Sequence, residues 1–151
     1  MTRMPLAAFA ICAALASPAV AQDGPYSWNT MDDGAIVQFG VPDTDERAIR
    51  LDCAGKGQIG VMGPADTELE EGARFAVTLR GRAGAKRYVG EVVGMGDGPN
   101  FAVKVAPGDD AIATLLAGRD LTLVVGKDEW SVPGKGAAKV LKPLLAICAK
   151  R

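Results

Sequence analysis

The sequence predicts a mainly β protein. The expected architecture is an antiparallel β-sandwich or open barrel of about seven to eight strands, with a short helix near 109–117 and a C-terminal helix. Three observations carry this. Apolar residues alternate with polar ones over runs of five to seven residues, the period of a half-buried strand. The runs are punctuated by Gly, Pro and Asp, in a chain of 151 residues holding 19 Gly and 9 Pro. Only two segments carry helical spacing instead.

Taken in order, the segment "QDGPYSWNTMDDG" is polar and turn-rich and reads as a lead-in rather than a strand. "AIVQFGV" (35–41) places Val37, Phe39 and Val41 on one face. "AIRLDC" turns Ile49, Leu51 and Cys53 inward, with Arg50 and Asp52 outward, and "QIGVM" pairs Ile59 with Val61. In "ARFAVTL", Phe75, Val77 and Leu79 face in while Arg74, Ala76 and Thr78 face out. "RYVGEVV", "FAVKV", "LTLVV" and "EWSV" complete eight predicted strands. "RGRAGAKR" and "GMGDGPN" are expected as hairpin links, the second turning at Asp97-Gly98. Links this short exclude an all-parallel sheet, whose crossovers need a dozen residues or more.

The two helical segments have their own signals. In "PGDDAIATLLAG", Asp109 or Asp110 can cap the first N–H groups, Ile112, Leu115 and Leu116 recur at helical spacing, and Gly118 suits a left-handed exit. In "GKGAAKVLKPLLAICAK", one stripe holds Ala137, Val140, Leu141, Leu144, Ile147 and Cys148. Pro143 interrupts it, either as a kink or as the start of a second helical piece.

Residues 1–21 read as a secretory signal peptide, with residues 22–151 as a single β-rich domain. Arg3 gives a positive start, "PLAAFAICAALA" is shorter than the roughly 20 residues a membrane span needs, and "Ala19-Val20-Ala21" suits cleavage before Gln22. Cleavage removes one basic residue and no acid, leaving 16 basic against 18 acidic residues. That balance argues against nucleic acid as a partner, because phosphate binding needs a concentrated positive surface. Cleavage also leaves two of the three cysteines, Cys53 and Cys148. An even count in an exported protein points to a disulfide, and the C-x-x-C spacing of a redox pair is missing.

Histidine is absent, which excludes Ser-His-Asp and Cys-His catalysis and every histidine-ligated zinc site. Gly55, Gly57 and Gly60 have the spacing of a dinucleotide loop, but "QIGVMGP" continues as a strand where the fingerprint demands a helix. They read as a hairpin turn. "GKGAAK" (134–139) lacks the phosphate-loop spacing and reads as a helix entry. Asp43, Asp45 and Glu46 offer too few ligands, in the wrong pattern, for calcium and read as a solvated turn. Asp32–Asp33 reads as a turn or strand entry. Trp28 and Trp130 read as packing residues. No cofactor and no metal site is expected. The leading surface feature is the basic hairpin Arg80, Arg82, Lys86 and Arg87, which could meet an anionic partner such as lipopolysaccharide, a wall polymer or an acidic protein patch, the alternative being an ordinary solvated hairpin tip.

The early Trp28, "DDG", "FGVPDTDERAIRLDC", "DAIATLLAGRDLTLVV" and the terminal "LLAIC" together resemble a group of uncharacterised secreted alphaproteobacterial domains. More distantly they are similar to type VI secretion accessory proteins of the VasI/TagO kind. The resemblance runs from Trp28 to Cys148. It implies an exported β-rich domain with Cys53 and Cys148 bridged, and no assigned activity.

The function expected from these observations is non-enzymatic: a periplasmic or extracellular domain binding a protein or a cell-envelope component, with no membrane span after cleavage. Inhibition of a cell-wall hydrolase such as lysozyme is the alternative among binding functions. A carboxylate-based hydrolase, with two acids some 5 to 9 Å apart, is the alternative of another class.

Overall fold

The computed structural model describes residues 25–55, 57–65, 68–94 and 98–151. The expected signal peptide and Asp97 lie outside these. The domain is mainly β, as predicted: one antiparallel sheet of nine strands curves into a half-barrel, accompanied by a short helix and a C-terminal helix. Of the two arrangements expected, it is therefore the open barrel.

The strands are β1 (Ser27–Met31), β2 (Ile36–Gly40), β3 (Arg47–Gly55), β4 (Gln58–Pro64), β5 (Arg74–Gly81), β6 (Gly84–Gly94), β7 (Pro99–Val105), β8 (Leu121–Val125) and β9 (Asp128–Val132). Their spatial order is β1-β2-β3-β4-β7-β6-β5-β8-β9. The meander β5–β6–β7 thus lies in reverse between β4 and β8. Helix α1 (Asp110–Leu116) connects β7 to β8, and α2 (Ala137–Cys148) follows β9.

β1 corrects the sequence reading, which took this stretch as a lead-in. Trp28 pairs with Phe39 across the β1–β2 ladder, and their rings lie 5.5 Å apart. The alternation is obscured because Thr30, between the large inward residue and the turn, is itself polar. Asp32 and Asp33 form the β1–β2 turn, both in the left-handed region. The dinucleotide-like glycines behave as expected: Gly55, which ends β3, and Gly57, which precedes β4, have positive φ, and Gly60 lies within β4.

The concave face is the core side. Val37, Leu51, Ile59, Phe101 and Leu123 from the sheet meet Ile112 and Leu115 of α1 and Leu141 and Leu144 of α2, all essentially inaccessible to solvent. Each such side chain contributes about 1.5–3 kcal/mol by leaving water. Pro143 lies inside a single continuous α2, on its exposed side. Two indoles tie the end of the sheet back to its beginning: Trp28 donates to the Pro133 carbonyl at 2.7 Å, and Trp130 to the Ala48 carbonyl at 3.2 Å. Cys53 and Cys148 form a disulfide across a sequence separation of 95, with Cα atoms 5.2 Å apart, and fasten α2 to β3. Among the described residues, no helix is long and apolar enough to cross a membrane.

Candidate functional site

The basic hairpin is built by β5 and β6, which close at the pair Gly81↔Gly84 with Arg82 and Ala83 in the turn. The fold sets its tip against the start of α1. Gly81 approaches the helix so closely that a Cβ there would strike the Asp110 carboxylate and the Thr114 hydroxyl. The turn N–H groups are then satisfied from α1: Arg82 N–H donates to Thr114 Oγ1 at 2.9 Å and Ala83 N–H to Asp110 Oδ2 at 3.1 Å.

Asp109 is the hub of this contact. As the N-cap it accepts the Ala111 N–H at 3.1 Å through Oδ1. The same oxygen accepts the Tyr88 hydroxyl at 2.6 Å, and Oδ2 accepts the Lys86 ammonium at 2.5 Å. Burial pushes the carboxyl toward its neutral form, but the bonds from Lys86, Tyr88 and the Ala111 N–H outweigh that and hold its pKa below the ordinary carboxylate value. Burial and the bond to Asp109 push Tyr88 up to about 12. Lys86 is raised by its bond to Asp109 and by Tyr88, whose ring centroid lies 5.0 Å from Nζ. An ionised, thrice-bonded carboxylate suits anchoring and not proton donation.

The four cations expected to act together therefore separate. Lys86 and Arg82 turn to Asp109 and Asp110, the latter at 3.8 Å, and Arg80 pairs with Glu129 at 3.3 Å. Arg87 makes none of these pairs and lies on the convex face, opposite Thr78 in the ladder. The other acids considered from sequence sit elsewhere. Asp43 and Asp45 lie in the β2–β3 loop, and Glu46 accepts the Tyr26 hydroxyl at 2.7 Å.

The convex face holds a surface that the sequence reading missed. Val89 is 75% exposed, the more exposed of two large apolar side chains on the described surface. Depressions of about 350 and 460 Å³ flank it. Arg74 borders both, Lys104 the first and Arg87 the second. Among the described residues these three cations form no ion pair. Glu91, beside Arg74 in the ladder, is the acid lining this area. The three cations come from three different strands, so no sequence window displays them together.

Comparison with known proteins found no matching family model, no matching curated protein and no matching solved structure.

Proposed function

We propose that the domain is an exported, non-enzymatic binding module that engages a protein or cell-envelope component through the convex face of β5, β6 and β7. The observation carrying this is the exposed Val89 ringed by Arg74, Arg87 and Lys104. An apolar centre with a charged rim is the composition of a recognition surface. The disulfide is consistent with an oxidising compartment outside the cytoplasm. The titratable cluster at Asp109 supports the same reading, since its oxygens are committed to holding the hairpin on α1.

A photo-crosslinking amino acid placed at Val89, and separately at Lys142 on the exposed side of α2, tests the reading in an exporting host. The expected result is an adduct with an envelope component from position 89 and none from 142. An adduct with a cell-wall hydrolase would select the inhibitor reading among binding functions. Equal labelling at both positions, or none at 89, overturns the proposal.

A further inference from the structure

The sheet has a gap in its middle. Pairing between β6 and β7 runs from Gly94↔Pro99 to Glu91↔Ala102 and stops there, although β6 continues back to Gly84 and β7 on to Val105. On its other side β6 is paired to β5 along its length, from Glu91 to Gly84. The two-residue turn makes Gly81 and Gly84 a directly bonded pair, and the bonds then alternate along the ladder. Gly84, Lys86, Tyr88 and Gly90 therefore bond to β5, while the backbone N–H and C=O groups of Ala85, Arg87 and Val89 point the other way. On that side β7 runs on past Val89 without pairing to it and ends at Val105, so among the described residues no ladder partner takes the groups of these three. Val92 confirms the phase, since it exchanges bonds with Gly72 and Ala73 on the β5 side.

We infer that this flank of β6 takes an extended acidic segment of a partner protein as an added strand. The inference deepens the binding reading above and rests on it. Strand addition draws its affinity from the main chain and its selectivity from alternate side chains. On the convex face an added strand would run beside Arg87 and Val89, with Lys104 across the gap and Arg74 one strand beyond. Acidic residues at every second position complement these charges, while the residues between them face α1 and must be small. A second copy of this chain is a poor occupant, because antiparallel pairing of two β6 flanks centred on Arg87 sets like charges opposite one another. A lipid headgroup would use the cations but leave the main-chain groups unused.

The probe is a fluorescein-labelled peptide of four Glu-Thr repeats, read by anisotropy with the oxidised domain. Saturable binding is expected. It should weaken about tenfold or more when Arg87 and Arg74 are both replaced by Glu. It should also be lost when alternate amides of the peptide are N-methylated, a change that leaves the protein untouched. Binding that survives N-methylation overturns strand addition. So does failure to bind the peptide, with or without binding to phosphatidylglycerol vesicles. If the peptide fails while the Val89 crosslink persists, the convex face still binds a partner and only the strand mode is wrong.

Discussion

Asp109 offers a sharp test of how the hairpin is held. Asp109→Ala removes the α1 cap, for which about 1 kcal/mol is usual. It also strips the Tyr88 hydroxyl of its carboxylate partner at 2.6 Å, a charged hydrogen bond of about 1.5–3 kcal/mol. Together the loss is about 3 kcal/mol, which for a domain of this size lowers Tm by about 10 °C. Asp109→Asn keeps a capping oxygen and the shape of the side chain and should cost less than the alanine. Urea unfolding followed by the fluorescence of Trp28 and Trp130 gives both values. The pH dependence carries the sign. The folded pKa of Asp109 lies below its unfolded value, so its stabilisation is full above the ordinary carboxylate pKa and fades as pH falls through the folded value. The alanine variant must lose that acid-side component. A loss below about 1 kcal/mol, or an unchanged acid profile, refutes the hub at Asp109.

Three further outcomes are expected. Replacing Cys53 and Cys148 by Ala should cost about 4–5 kcal/mol, from the loop closed over a separation of 95, and the native protein should weigh two hydrogens less than its reduced form. Ultraviolet titration should show both tyrosines ionising above the ordinary value, with Tyr88 near pH 12 and that phase missing in Tyr88→Phe. The sign for Tyr88 is opposite to that for Asp109: its raised folded pKa gives stability present below pH 10 and lost as pH climbs toward about 12. Pro143→Ala should raise the unfolding free energy from urea denaturation by about 1–2 kcal/mol, since α2 continues through this position and Pro supplies no N–H to the Lys139 carbonyl.

Much of the fold is legible from the chain. Burying one face of a strand imposes a period of two, so Phe75-Val77-Leu79 and Ile49-Leu51-Cys53 announce both their strands and their inner sides. The eight strands predicted all form. Asp109 and Gly118 mark the limits of α1 because capping is local chemistry, settled within one turn. Ser27–Met31 escaped because its one large inward residue, Trp28, earns its place through contacts with Phe39 and Pro133. Pro143 could not be resolved beforehand: whether a helix tolerates proline depends on how firmly packing holds the turns on either side.

The candidate site lies at the other extreme. Its chemistry is visible residue by residue, but strand order decides which charges meet. Reversal of β5–β6–β7 between β4 and β8 brings Lys104 beside the Arg74–Arg87 face, and the passage through α1 brings Asp109 and Asp110 to the hairpin tip. Local periodicity and turn residues thus establish eight of the nine strands and both helices, since those follow from short-range sterics and from which face leaves water, while the cysteine pair follows from the even count left after cleavage. Tertiary pairing alone decides that the basic hairpin is largely neutralised and that the β6–β7 ladder stops at Glu91. Those properties depend on which distant segments share an edge, and no local pattern encodes that.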